Sequence, residues 1–227
     1  MRLPDLHRSE RVPEWETIPP EEWNEYQIRA AQTNGWDTPG NRESLKGFVG
    51  SLTGLAFIRE HHYFIGTLCL GYGRLKDLQD GKRAHETGTK SPLGEAIDAV
   101  GDGVLATIAA PVLNEAGIIS DREKHAFLGM AAVKLVTASA AKATGRELHA
   151  TRLSKIGAFT QWLGLGTQLL GRIAKEHEHP AAGLVLTTGG RQMTYAGLAM
   201  GMHETVGYVR ETFLPTETIT LENSSLE

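Results

Sequence analysis

Apolar and small residues recur at helical spacing through most of this chain, with polar residues between them. Over 41–60, Phe48, Leu52, Leu55, Ala56 and Phe57 share one face, which predicts a first long helix. The same reading predicts helices over 63–90, 91–117, 121–146, 159–174 and 181–213. Asp121 and Glu123 open the fourth, and Lys142 and Arg146 close it, as the helix dipole favours. Pro111 lies inside the third and predicts a kink there. In the last helix Gly183, Leu186, Gly197, Met200 and Gly201 form a small, apolar face. The expected fold class is all-α: a six-helix bundle (41–213) with unusually polar outer faces.

Two flanks differ from this bundle. Residues 1–40 read as a polar arm spotted with aromatics. Within it, Pro19-Pro20 followed by Glu21 and Glu22 predicts a short amphipathic helix whose Trp23 and Ile28 face packs on the main body or an interface, the alternative being a membrane surface. Its opening residues are polar and broken by Pro4, so no signal peptide is expected. Residues 214–227 are rich in Thr, Ser and Glu and predict a disordered tail. His61-His62 and the His177-Glu-His179 triplet read as polar turns between helices rather than as ligands.

Four carboxylates carry the candidate chemistry: Asp77, Asp80, Asp98 and Asp102. Residues three or four apart on a helix share a face. Each pair therefore marks one face of one helix. The intervening Thr87-Gly88-Thr89-Lys90-Ser91-Pro92 stretch is turn chemistry that folds the second helix back on the first. Facing carboxylates repel unless a cation sits between them, and Mg²⁺ or Mn²⁺ suits oxygen ligands and a phosphate substrate. The competing reading is a solvated acidic face on two surface helices. Against it stand the apolar flanks, 64–70 and 104–113, where unpaired acids are costly.

These residues also resemble a family signature. The order Asp77-x2-Asp80-Gly81-x2-Ala84, eight residues after position 85, then Gly94-x3-Asp98-x3-Asp102, is similar to that of the CDP-alcohol phosphotransferases (CDP-alcohol phosphatidyltransferases). It departs at His85, where the family usually has Arg. The resemblance implies a six-helix membrane bundle, often a homodimer, in the inner or cytoplasmic membrane. It implies transfer of a phosphoalcohol group from a CDP-alcohol, such as CDP-diacylglycerol, to an acceptor hydroxyl, with release of CMP. Asp77, Asp80, Asp98 and Asp102 would be the metal ligands, and Asp102 also the general base. Gly81, Ala84, His85, Gly94 and Asn41 would lie against the nucleotide. For Gly81 and Ala84 the alternative is helix packing; for Asn41 it is a helix cap. Arg152 and Lys155, in a basic segment between the fourth and fifth helices, would meet the lipid phosphate or acceptor, or else serve as helix-cap chemistry. Glycerol phosphate, inositol phosphate, serine and another lipid are all compatible acceptors.

Composition complicates that picture. Mean hydropathy is −0.24, low for six membrane spans. The fourth helix carries Lys124, His125, Lys134 and Lys142, and the sixth carries Arg191, Gln192, His203 and Glu204. Each such charge costs roughly 2.5–3.5 kcal/mol at a membrane centre. This favours a chain polar enough to be soluble. The alternative function is then a soluble, redesigned analogue that keeps the motif with little or no lipid synthesis. The net charge of −4 argues against a nucleic-acid partner, and the single Cys69 excludes an internal disulfide.

Overall fold

A computed structural model describes residues 12–143 and 151–213. The expected tail at 214–227, the start of the arm and the end of the fourth predicted helix lie outside the described residues. Two 3-10 turns, Glu14–Thr17 and Pro20–Glu22, lead into α1 (Glu25–Gln32). Six long helices follow: α2 (Pro39–Arg59), α3 (Tyr63–Glu86), α4 (Pro92–Glu115), α5 (Asp121–Ala143), α6 (Arg152–Glu176) and α7 (Pro180–Phe213). The all-α bundle expected from the pattern is therefore present, and no strand occurs among the described residues. α4 runs on through Pro111.

Helix starts follow side-chain caps. Thr38, Ser91 and Ser120 each accept an N–H three residues on, from Asn41, Gly94 and Glu123. Glu123 Oε2 in turn accepts the Ser120 N–H at 2.8 Å, closing a capping box. Helix ends share one device. After α2, α3, α4 and α6 a residue with φ between 62° and 68° turns the chain: His61, Gly88, Gly117 and Glu178. The next N–H then reaches back five residues, as in Thr89 to the Ala84 carbonyl at 2.9 Å.

Three expectations are corrected. α1 begins at Glu25, not at Pro20, because Asn24 and Gln27 form a reciprocal capping box at 2.9–3.0 Å. Its buried face is Gln27 and Ala30, while Ile28 is exposed. Gln27 Nε2 and Asn24 Nδ2 donate to the Gly88 and Thr87 carbonyls, so polar groups tie the arm to the α3–α4 turn. The cap of α2 is Thr38 rather than Asn41. The fifth helix of the bundle starts at Arg152, seven residues before the expected 159. Its polar first turns read as a connection, but Gly157 packs against Gly197 of α7 and tertiary contact extends the helix.

Two close hairpins frame the bundle: α2 with α3, and α6 with α7. Each has a glycine seam with a seven-residue repeat. Gly47 and Gly54 face Gly73 and Gly66; Gly157, Gly164 and Gly171 face Gly197, Gly190 and Gly183. A Cβ at Gly47 would stand 2.9 Å from the Gly73 carbonyl oxygen, so only hydrogen fits at this separation. α4 packs on α2, and α5 joins α4 to α7. The core of Leu55, Ile58, Leu70, Leu105, Leu113, Phe127 and Leu165 lies among them. α4 is long and apolar enough to cross a membrane, and no other described helix meets that measure.

Candidate active site

The acidic pairs lie on the C-terminal half of α3 and the N-terminal half of α4, two helices that both pack on α2. The α3–α4 turn is held from both sides. Thr87 Oγ1 and Thr89 Oγ1 are 2.8 Å apart, Ser91 caps α4, and the Glu14 N–H donates to the Lys90 carbonyl at 2.9 Å. This sets the register that brings α3 carboxylates to α4 carboxylates. Asp77, Asp80 and Asp98 each present an oxygen, all within 4.8 Å of one another.

The electrostatics of these three are unbalanced. Burial pushes Asp77 up to about 6, helped by the charges of Asp102 and Asp80 and opposed by Arg74. Burial of its carboxylate, then the charges of Asp102, Asp80 and Asp77, pushes Asp98 up to about 7, although the residue as a whole is exposed. Asp80 is also raised by burial, and the Ser44 hydroxyl, donating to Asp80 Oδ2 at 2.6 Å, opposes that rise. Three oxygen donors this close, whose charge Arg74 offsets only in part, suit a hard divalent cation.

Asp102 stands differently. Its Oδ1 lies 3.2 Å from Arg74 Nη1, which also lies 3.0 Å from Asp77 Oδ2. The Arg74 guanidinium carbon sits 4.4 Å from the Trp162 ring centroid on α6.

A cleft of about 440 Å³ opens over the carboxylates. Asn41, Ser44, Arg74, Asp77, Asp98 and Asp102 form its polar lining, and Trp36, Leu45, Phe48, Val100 and Val104 much of its apolar wall. Asn41 Nδ2 donates to the Gly35 and Trp36 carbonyls at 2.8 and 3.1 Å, which fixes the loop at the cleft edge. A Cβ at Gly94 would stand 3.1 Å from Asn41 Oδ1. Nothing lies within 4 Å of a Cβ built at Gly81, so the α3 backbone is open there. Ala84 instead packs on Gly40 of α2, whose built Cβ is 3.0 Å from the Ala84 Cβ. His85, Arg152 and Lys155 are exposed and do not line this cleft.

Sequence reasoning missed Arg74 and Trp162 as parts of the site. Arg74 carried a signal, lying one helical turn before Asp77. Ser44 is 36 residues from Asp80 in the chain, and only the α2–α3 packing brings the two together.

The CDP-alcohol phosphatidyltransferase family model matches residues 45–199, a span that includes both aspartate pairs and excludes Asn41. No curated protein and no solved structure matches the chain.

Proposed function

The chain belongs to the CDP-alcohol phosphatidyltransferase family, and from that premise we propose that it moves the phosphoalcohol group of a CDP-alcohol to an acceptor hydroxyl. The acceptor oxygen bonds to the β-phosphorus, the phosphorus–oxygen bond to CMP breaks, and CMP leaves. The observation that carries this reading is the convergence of Asp77, Asp80 and Asp98, two of which, Asp77 and Asp98, line the cleft. These three would hold Mg²⁺ or Mn²⁺, which when bound neutralises phosphate charge and orients the transfer.

The chain's own groups divide the remaining work. Asp102 accepts the hydroxyl proton at Oδ2, because Oδ1 is engaged by Arg74. The exposed backbone at Gly81 admits the nucleotide close to α3. Asn41 lines the cleft with Gly94 packed behind it, and Ser44 orients Asp80. His85 stands on the last turn of α3, where it offers a charge to phosphate only when protonated. Arg152 and Lys155 form a separate basic turn at the start of α6, suited to an anionic lipid or acceptor outside the cleft. The family is membrane-associated, and the apolar side chains of Phe64, Leu68, Leu75 and Leu78 on the outer face of α3 suit a lipid or second-copy contact.

CMP release from CDP-diacylglycerol, measured with Mg²⁺ or Mn²⁺ and each of glycerol phosphate, inositol phosphate and serine, tests the proposal. Turnover that EDTA and Asp98→Asn both abolish supports it. Absence of CMP with every acceptor, while the protein still takes up Mn²⁺, refutes it. That outcome would favour the second reading, a soluble analogue that keeps the carboxylates without lipid chemistry. The observation on its side is polarity along the outer helices: Lys134 on α5 and Gln192 and His203 on α7 are exposed in mid-helix.

A further inference from the structure

The four carboxylates do not share one environment. Three converge within 4.8 Å of one another, and a guanidinium links one of these, Asp77, to the fourth, Asp102. Arg74 reaches Asp77 on its own helix at 3.0 Å and Asp102 on α4 at 3.2 Å through the same nitrogen. Its side chain is 23% exposed and that of Asp77 24%, while Asp102 is 54% exposed, so the guanidinium is held on the α3 side and reaches an open carboxylate on α4. Trp162 of α6 supplies a platform 4.4 Å away, so contacts from two other helices position the cation. The same residue borders a second cleft of about 540 Å³ between α4, α5 and α6, which shares Ala96, Val100 and Asp102 with the first.

From this we infer that Arg74 is a built-in cation that takes the place of a second metal ion, so the site holds one divalent ion on Asp77, Asp80 and Asp98 and keeps Asp102 outside the metal's ligand set. The inference rests on the metal reading given above and deepens it. A guanidinium fixed between Asp77 and Asp102 already neutralises part of the charge that a second dication would need. It occupies Asp77 Oδ2 and Asp102 Oδ1 and repels a second dication there, so the single ion meets Asp77 through its other carboxylate oxygen. Its hold on Oδ1 leaves Asp102 Oδ2 for the acceptor hydroxyl, and both residues border the two clefts. Arg74 is thus a positioning residue for the base and a determinant of metal stoichiometry.

Manganese titration of the full chain, followed by calorimetry and by the electron-spin signal of free Mn²⁺, reads this without any turnover. The unaltered chain should take up one equivalent. Arg74→Met keeps the aliphatic contact with Trp162 and removes the charge; it should take up two, with the second lost in Arg74→Met/Asp102→Asn. One equivalent in both the unaltered chain and Arg74→Met overturns the role of Arg74 and leaves the metal reading standing. Two equal equivalents in the unaltered chain do the same. No uptake by the unaltered chain overturns the metal reading itself, and this inference with it. Should Arg74→Met lose its helical circular dichroism, Asp102→Asn alone decides. First-ion affinity within about threefold of the unaltered chain supports an Asp102 outside the ligand set, and a loss on the order of tenfold or more overturns it.

Discussion

Replacing Gly164 by Ala should destabilise the protein, while the same change two residues on, Gly166→Ala, should stabilise it. Both residues lie inside α6, where Ala gains about 1 kcal/mol over Gly from helix propensity. They differ in what a methyl group would meet. At Gly164 the Cβ would stand 2.5 Å from the Thr194 N and 2.6 Å from the Gly190 carbonyl oxygen. Both are backbone atoms of α7, so no side-chain rotation relieves the clash and the two helices must separate. Overpacking of this kind costs about 1–3 kcal/mol, and contact with rigid backbone places it at the upper end. The net loss at Gly164 is then about 2 kcal/mol. At Gly166 nothing lies within 4 Å, and the propensity gain of about 0.5–1 kcal/mol stands alone. For a chain of this size 1 kcal/mol moves Tm by about 2–4 °C. Thermal unfolding followed by circular dichroism should therefore place Gly164→Ala about 4–8 °C below the unaltered chain and Gly166→Ala a few degrees above it. If the two variants shift in the same direction, or Gly164→Ala is neutral, the glycine seam does not set the α6–α7 separation.

Three further outcomes follow from the structure. Asp77 and Asp98 are raised to about 6 and about 7 in the fold, so the native state binds more protons than the unfolded chain between about pH 4 and pH 7. Metal-free stability should accordingly fall as pH rises through that window, and saturating Mn²⁺ should reverse the slope; a metal-free Tm flat from pH 5 to pH 8 would contradict the crowding of these groups. Glu123 is fully buried and accepts from the Ser120 N–H and hydroxyl, Gln168 and Arg191, so Glu123→Ala leaves several donors unpaired. Its cost in urea unfolding should be about 3–5 kcal/mol, and a loss under 1 kcal/mol would mean the network is dispensable. Glu178 turns the chain with φ of 62°, so Glu178→Gly should raise stability by up to about 1 kcal/mol, and a measured loss would show that the side chain has an anchoring role.

Local chemistry is readable from the residues alone. A helix is closed by hydrogen bonds between near neighbours in the chain, so caps such as Ser91 with Pro92 and turns such as Gly88 announce its ends. Spacings of three and four are enough to put Asp77 with Asp80, and Asp98 with Asp102, on common helix faces. Readings fail where a distant partner intervenes. The polar residues of 152–158 join a helix because Gly157 meets α7, and the arm docks through Gln27 because the Gly88 carbonyl faces it.

The residues by themselves determined that two acidic helix faces exist and that a short turn joins them. Only the tertiary arrangement decided that three of the four acids converge while Arg74 engages the fourth from a perch on Trp162. The physical reason is that spacing along a helix sets a side chain's azimuth. Which azimuth meets which neighbour depends on how closely the helices approach and at what register, and here glycine seams and a turn braced by the arm set both.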